Sequence, residues 1–394
     1  MALLMRTSSA RLLAVAAVSA LAAVAGSAHA QSTCPAGVSH PGEAWPDVSA
    51  QVLSQKAEAI TALEDYAFTL EGADEERRGI RTDGVVIIRA GELIYERYAR
   101  GHDASKRHLS WSVSKSFTNA LVGIAVGQGR LSVEDSLCKH LPWVSELGED
   151  RCGITVRHLL EFSSGLDWQE VYEGASNQSS SVLSMLYGAG HEDAARFIAS
   201  HALRDPPGES WMYSSGDSTL LMAVVQAVME PEHGDRFPWT QLLDPIGMRS
   251  AVWERDRAGT IIGSSYLYAT PRDLARFGYL LKHDGCWDGA RILPEGWVSE
   301  STQVSEAMTK KRLHRDPDDV QGRQFWLNKP VPGVDDQRPF PDLPEDAFFA
   351  RGHWGQSISV IPSWDLVVVR TGDDREGGFD LQRFLVLARE VAAP

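Results

Sequence analysis

The sequence lacks the features that a nucleic-acid-binding protein needs. Its 394 residues contain 38 lysine and arginine residues against 53 aspartate and glutamate residues, a formal net charge of -15. Nucleic acids and anionic membranes require a clustered basic surface. The basic triplet Lys310-Lys311-Arg312 is followed closely by three aspartates. Charged residues (23%) and apolar residues (43%) occur in the proportions of a soluble globular protein. We therefore expect no nucleic-acid partner.

Two common catalytic motifs are also absent. No Cys-x-x-Cys pair occurs, and none of the 12 histidines forms a closely spaced pair, so we predict no metal site and no cofactor. No Gly-x-Ser-x-Gly segment occurs either. That absence argues against a Ser-His-Asp hydrolase of the type that presents its serine on such a turn.

The N-terminus has the pattern of a secretory signal peptide over residues 1–30. Two arginines precede an apolar run, and Ala28 and Ala30 stand at positions -3 and -1 of a cleavage site before Gln31. A membrane anchor is the alternative, although an apolar run of about 14 residues is short for a span. We expect a periplasmic or secreted protein that has no membrane contact after cleavage.

Four cysteines follow the predicted cleavage site, and export would allow them to form disulfides. Cys138 and Cys152 are near each other in the sequence and are the favoured pair, which leaves Cys34 and Cys286 as the second. Four free thiols are the alternative.

Strand-like runs lie near both ends of the chain, with a helical block between them. Residues 84–89 and 92–100 predict a hairpin. Further strands are predicted over 324–327, 355–361 and 366–370, the last two joined by a turn. Helical periodicity is found over 50–70, 112–126, 156–162, 192–202, 219–229, 271–282 and 381–391.

This order predicts an α+β fold, in which an antiparallel sheet is built from both chain ends and flanked by helices. We assign residues 31–105 and 255–394 to the sheet domain and residues 106–254 to an inserted all-α domain.

Ser112 and Lys115 form a Ser-x-x-Lys segment at the start of a predicted helix. A spacing of three places the hydroxyl and the amine on one helix face, within hydrogen-bond reach. Burial and the positive helix N-terminus would lower the pKa of the lysine, which could then take the serine proton. A second such segment, Ser136 to Lys139, lies among turns without an apolar helix behind it. We interpret the second segment as structural.

Two later segments could complete the site. Tyr213 lies in a turn before the helix predicted over 219–229, where its phenol could reach a cleft and move a proton. A packed core aromatic is the alternative. Gly352, His353 and Gln356 open a predicted strand, and glycine at a strand edge lets a substrate carbonyl approach a backbone N–H. For His353 the alternative is a surface histidine.

The order Ser-x-x-Lys, Tyr-x-Ser, His-x-Gly resembles the motif order of serine β-lactamases and penicillin-binding proteins. The chain is similar to the class C-related branch that includes 6-aminohexanoate-dimer hydrolases and related esterases. Segments 154–166, 269–278 and 352–369 extend the resemblance to approximately residues 80–390. The resemblance implies a β-lactamase-like fold with the catalytic cleft between the sheet domain and the helical domain.

The resemblance also implies roles for individual residues. Ser112 would be the nucleophile of an acyl-enzyme, with Lys115 and Tyr213 as the groups that move its proton. The backbone N–H groups of Ser112 and Gln356 would form the oxyanion hole, and His353 would steady the network. Aromatic residues are candidate walls of the substrate cleft: Trp111, Trp168, Tyr172, Tyr266 and Trp354.

Two positions depart from the β-lactamase pattern. His353 stands where a Lys-Thr-Gly motif has its lysine, and Ser215 replaces the asparagine of Tyr-x-Asn. These departures favour a serine hydrolase for a small-molecule ester or amide, such as a linear amide of the 6-aminohexanoate type. A β-lactamase or D-alanyl-D-alanine carboxypeptidase is the second hypothesis. A non-catalytic penicillin-binding-like module is the third. The oligomeric state is not predicted.

Overall fold

A computed structural model describes residues 34–38, 40–313 and 319–393. The predicted signal peptide, residues 1–30, lies outside these residues. Within the described ranges, no helix is long and apolar enough to cross a membrane.

The main sheet has six strands in the order β2-β1-β11-β10-β9-β8, and each neighbouring pair is antiparallel. The pair β1-β11 joins the two ends of the chain, with Val86 opposite Val369. The strands are β1 (Thr82–Arg89), β2 (Glu92–Tyr98), β8 (Trp326–Leu327), β9 (Phe348–Gly352), β10 (Gln356–Ile361) and β11 (Leu366–Gly372). The predicted antiparallel sheet built from both chain ends is therefore confirmed.

Helices cover both faces of this sheet, which explains why β1 is apolar without alternation. Val86 and Ile88 pack in one core with Phe117 and Phe277. The alternate residues Val85 and Ile87 pack in a second core. The helices before the sheet are α1 (Ser49–Gln55) and α2 (Ala57–Phe68), and those late in the chain are α9 (Pro271–Lys282), α10 (Trp297–Ser301), α11 (Glu306–Lys310) and α12 (Leu381–Ala392). Residues of α2 and α12 belong to the second core, and residues of α9 to the first.

The middle of the chain is mainly helical. Its helices are α3 (Ser114–Gly127), α4 (Leu137–His140), α5 (Val156–Leu160), α6 (Ser181–Tyr187), α7 (Ala194–Ala199) and α8 (Ser215–His233). A small sheet in the order β3-β5-β4 joins both ends of this region to the rest: β3 (His108–Leu109), β4 (Val252–Trp253) and β5 (Leu267–Ala269). The insertion predicted to be all-α thus carries a short strand at each end. The contacts among the described residues group them into one unit, and the division at 106–254 stays a prediction.

Two predicted elements differ from those observed, and one observed strand was not predicted. The helix predicted over 50–70 is interrupted at Lys56, whose backbone (φ -120°, ψ 28°) leaves the helical region between α1 and α2. The strand predicted over 324–327 shortens to β8, because Gln324 has a positive φ of 67°. Strand β9, whose five residues follow a proline-rich loop, was not predicted from the sequence.

Both predicted disulfides are present. Cys138–Cys152 closes a short loop after α4, and Cys34–Cys286 ties the start of the described chain to β6 (Cys286–Trp287), which pairs with β7 (Ala290–Arg291). Loops of about 15 residues gain roughly 3 kcal/mol from such a bond, and longer loops gain more.

Candidate functional site

A tight turn presents Ser112 at the start of α3. Residues Trp111–Val113 form a 3-10 turn that runs into the α-helix at Ser114. Trp111 has a φ of 50°, a conformation that costs a bulky side chain on the order of 1–3 kcal/mol. The same turn is approached closely by Gly352, where a Cβ atom would lie 2.3 Å from the Ser110 carbonyl oxygen. The nucleophile candidate is therefore held between α3 and β9.

Lys115 lies one helical turn further on and is completely buried. Its Nζ donates to Ser112 Oγ (2.9 Å), to Ser215 Oγ (2.9 Å) and to the Ser264 carbonyl (3.1 Å), which uses all three of its donors. Burial lowers the pKa of Lys115 to about 8, although the Glu170 carboxylate opposes this shift. An amine with that pKa is partly neutral near pH 7 to 8, and in the neutral form it can accept the Ser112 proton.

Tyr213 lies beside the same two groups. Its ring packs between Phe162 (5.0 Å between centroids) and Trp326 (5.2 Å), and Lys115 Nζ is 4.9 Å from its centroid. Burial raises the pKa of the Tyr213 phenol well above its ordinary value, as does the Glu170 charge, while a hydrogen bond with Ser112 opposes them. The phenol thus keeps its proton at neutral pH and can donate it. The structure brings Ser112, Lys115 and Tyr213 together.

Glu170 was not among the residues predicted from the sequence, yet it accepts hydrogen bonds from two residues at the back of the site. Its Oε1 accepts from the Ser215 hydroxyl at 2.6 Å, and its Oε2 accepts from the Ser215 backbone N–H (2.8 Å) and from Trp168 Nε1 (2.6 Å). Because the Ser215 hydroxyl donates to Glu170, its oxygen is free to accept from Lys115. The alternation of Trp168, Glu170 and Tyr172 in a segment without helix or strand is the signal that could have indicated Glu170.

His353 belongs to the wall of the site rather than to its hydrogen-bonded centre. Its ring stacks on Tyr172 (4.8 Å, 23°), meets Trp111 edge-on (5.5 Å), and has Nε2 2.9 Å from a Glu173 carboxylate oxygen. Burial lowers the pKa of the imidazole, and Glu173 opposes this effect. Among the described contacts none joins His353 to Ser112 or Lys115, so any influence on that pair would pass through Tyr172 or substrate.

The Gln356 side chain has a structural position. Its Nε2 donates to the Gly372 carbonyl (2.6 Å) and its Oε1 accepts from the Gly372 N–H (3.1 Å), so it ties the start of β10 to the end of β11. The residue is buried, its backbone is in register with Gly352, and its side chain does not line the cavity at Ser112. The oxyanion role expected for its backbone N–H stays a prediction.

A cavity of about 300 Å³ opens at Ser112. It is lined by Ser112, Glu170, Tyr172, Tyr213, Asp319, Trp326, Arg351, Gly352 and His353. Of the predicted aromatic walls, Tyr172 lines it, Trp111 supports it through His353, and Trp354 lines a neighbouring cavity. Trp326 and Arg351 were not predicted.

Two predicted walls, Trp168 and Tyr266, do not line the cavity at Ser112. Trp168 is only 1% exposed, since its ring lies against Gly216, where a Cβ atom would come within 2.8 Å. Tyr266 is 7% exposed and packs between Trp111 and Tyr187. Both aromatics are core residues that support the site from behind.

One group in the described ranges has the composition of a metal site: Asp83, His102 and His108. Asp83 also accepts from Arg100 at 2.6 Å, and a cation next to the carboxylate opposes metal binding. None of these residues lines the cavity at Ser112.

The antiparallel sheet with flanking helices, together with a Ser-x-x-Lys turn facing a tyrosine, defines a protein of the β-lactamase-like fold. The chain belongs to the beta-lactamase family, whose sequence profile matches residues 59–389. The resemblance to serine β-lactamases and penicillin-binding proteins is thereby confirmed.

Individual relatives agree with this assignment. The chain is 26% identical over 282 residues to the 6-aminohexanoate-dimer hydrolase of Paenarthrobacter ureafaciens, covering 68% of this chain and 70% of that protein. A solved Bacillus anthracis protein assigned as a 6-aminohexanoate-dimer hydrolase superposes with a TM-score of 0.64 at 21% identity, over 83% of this chain and 84% of that one. EstCE1, a hydrolase with promiscuous acyltransferase activity, superposes with a TM-score of 0.60 at 18% identity, over 87% and 99% of the two chains. The two structural likenesses show the shared fold.

Proposed function

We propose that this protein is a serine hydrolase that cleaves a small-molecule ester or linear amide through an acyl-enzyme on Ser112. One observation carries the proposal: the buried Lys115 amine lies 2.9 Å from Ser112 Oγ and its pKa is lowered to about 8. A serine hydroxyl is a weak nucleophile until a base accepts its proton. A lysine that is partly neutral at working pH is such a base.

Acylation would begin with attack on the substrate carbonyl. Ser112 Oγ forms a bond to the carbonyl carbon while its proton moves to neutral Lys115 Nζ, and the carbonyl oxygen becomes an oxyanion. Backbone N–H groups of Ser112 and Gln356 are the proposed donors to that oxyanion. The tetrahedral intermediate then collapses and expels an alcohol or amine. The leaving group takes its proton from the Tyr213 phenol, which recovers one from Lys115.

Deacylation would run the same steps with water in place of the leaving group. The attacking water gives a proton to the Tyr213 oxygen while the phenol proton moves to neutral Lys115. The carbonyl–Oγ bond then breaks, and Ser112 Oγ takes its proton from Lys115, which becomes neutral again. Because burial and the Glu170 charge keep Tyr213 protonated, the phenol can act as donor in one half-reaction and, through Lys115, be restored for the next.

Two relatives support parts of this proposal. The one named 6-aminohexanoate-dimer hydrolase supports a substrate of the 6-aminohexanoate type, and EstCE1, described as a hydrolase with promiscuous acyltransferase activity, supports acyl transfer. His353 and Ser215 in place of lysine and asparagine weigh against a β-lactam substrate. The two disulfides support our proposal of a periplasmic or secreted location, because such bonds persist in oxidising compartments.

The test compares the two Ser-x-x-Lys serines of the chain. Ser112→Ala should abolish hydrolysis of p-nitrophenyl butyrate and labelling by a fluorophosphonate probe. Ser136→Ala is the matched control, because Ser136 caps α4 and its neighbour Lys139 is an exposed partner of Asp135. Losing that cap costs about 1 kcal/mol of stability and should leave turnover unchanged. Full activity in Ser112→Ala would overturn the proposal.

The other two hypotheses give different results in the same assays. Faster turnover of nitrocefin than of the ester would favour a β-lactamase. If the wild-type protein hydrolysed neither substrate and was not labelled by the probe, that result would favour a non-catalytic module.

A further inference from the structure

The cavity at Ser112 contains three charged side chains, and two of them already have partners. Both oxygens of Glu170 accept hydrogen bonds from Ser215 or Trp168. Asp319 also interacts within the protein. Arg351 differs, because its guanidinium makes no ion pair or hydrogen bond with any residue in the described ranges, although it lines the same cavity.

The backbone of Arg351 is fixed in a strand next to the Ser112 turn. The residue lies in β9 opposite Ser357 of β10, and the next residue, Gly352, packs directly against the turn that carries Ser112. The half-buried side chain lies over the Trp326 ring, with its guanidinium carbon 5.9 Å from the ring centroid. A cation at that distance from an indole is attracted to the ring face. The guanidinium is thus oriented while its N–H donors remain unused by the protein.

An arginine in this situation is suited to one class of ligand. Its planar N–H groups match a carboxylate with two parallel hydrogen bonds, and such charge-assisted bonds are about twice as strong as neutral ones. Burying the guanidinium under substrate without an anion would remove its water and return no hydrogen bond, which is costly. The cavity therefore favours an anionic substrate group at the Trp326 wall over a neutral one.

We propose that the preferred substrates of this site are esters or amides that carry a carboxylate, which pairs with Arg351 while Ser112 attacks the scissile carbonyl. This inference rests on the proposed function, because it requires that the Ser112 cavity binds the substrate. Arg351 would determine specificity and take no part in proton transfer.

The test uses p-nitrophenyl esters of matched length that differ only in terminal charge: the adipate monoester, its methyl-capped form and the 6-aminohexanoate ester. For the wild-type protein, kcat/KM should be highest for the anionic ester. Arg351→Met should lower that kcat/KM roughly 10- to 100-fold, the equivalent of one charge-assisted pair. The neutral ester should change less than about threefold. Arg383→Met removes an exposed arginine of α12 that does not line the cavity, and should preserve the preference.

Two further measurements keep the outcome interpretable. Free adipate should inhibit hydrolysis of the neutral ester competitively, with an inhibition constant that rises in Arg351→Met and rises less in Arg351→Lys. Esters with the carboxylate on the leaving group, compared with their carboxamides, reveal which side of the substrate meets Arg351.

Several results would overturn the inference. One is equal turnover of the anionic and neutral esters by the wild type, and another is preference for the cationic ester. A third is an equal loss on all esters in Arg351→Met. Ser112-dependent hydrolysis of the neutral ester without charge preference would refute the role of Arg351 and leave the proposed function intact. No hydrolysis of any ester, together with no probe labelling, would refute both.

Discussion

The charge of Glu170 should set the pH at which this protein becomes active. The Ser215 hydroxyl joins Lys115 Nζ (2.9 Å) to Glu170 Oε1 (2.6 Å), so the two charges lie within about 5.5 Å of each other. A charge pair at that distance is worth roughly 0.8 kcal/mol at the dielectric constant of water and about 3 kcal/mol at an effective value near 20. Glu170→Gln removes this attraction, which favours protonated Lys115.

The sign of the effect follows from the role proposed for the lysine. Activity needs neutral Lys115, so kcat/KM should rise with pH through the Lys115 pKa of about 8. Without the Glu170 charge that pKa falls, by about 0.5 to 2 by the Coulomb range above. A glutamine amide at position 170 can donate a hydrogen bond to Ser215 Oγ. The Ser215 hydroxyl can then donate its own proton to neutral Lys115, which stabilises the neutral form. Both effects move the rising limb of the profile to lower pH.

The assay is kcat/KM for a neutral p-nitrophenyl ester from pH 5 to 9.5, with thermal unfolding measured alongside. Glu173→Gln is the matched control, since Glu173 is exposed, contacts His353 and does not touch Lys115. Its rising limb should coincide with that of the wild type. A rising limb that stays in place or moves to higher pH in Glu170→Gln would refute the electrostatic account.

Three further predictions concern other parts of the molecule. Tyr213→Phe should lower kcat at least tenfold with little change in KM, because in the proposed mechanism the phenol protonates the leaving group; an unchanged kcat would exclude it from proton transfer. Burial raises the pKa of Asp217 to about 7, so the folded state holds a proton that the unfolded state loses near pH 4; unfolding free energy should fall as pH rises from 4 to 7, and Asp217→Asn should flatten that dependence in urea melts. Replacing Cys138 and Cys152 together by serine should cost about 2–4 kcal/mol in the same melts, with ester turnover kept at 25 °C; loss of turnover would place that loop in the site.

Strong local patterns made much of the fold predictable. The run of four apolar residues from Val85 to Ile88 indicates a strand buried on both faces, and helix α9 combines a Thr270 cap with a proline in its first turn. Both elements were predicted with bounds close to those observed. The boundary between α1 and α2 depends on the backbone conformation of a single residue, Lys56. The hydrophobic periodicity of the sequence does not predict that conformation.

The candidate site was predictable only where its members share a motif. Ser112 and Lys115 are three residues apart, so their Ser-x-x-Lys spacing can be recognised in the sequence. Glu170 reaches Lys115 through Ser215, 45 residues away in the sequence, so only the folded chain brings the carboxylate to the lysine. Trp168 was predicted as a cleft wall for the same reason. Its ring packs against Gly216 of α8, a contact that only the folded chain shows.

The pairing of β1 with β11 has a consequence for folding during synthesis. Val86 cannot meet Val369 until β11 has been synthesised, and contacts of such long sequence separation form slowly. Gly352, which backs the turn that carries Ser112, lies 17 residues before Val369. A partly synthesised chain therefore holds an unsupported Ser112. We expect ester turnover by a chain under synthesis to begin only after β9, β10 and β11 have joined the sheet.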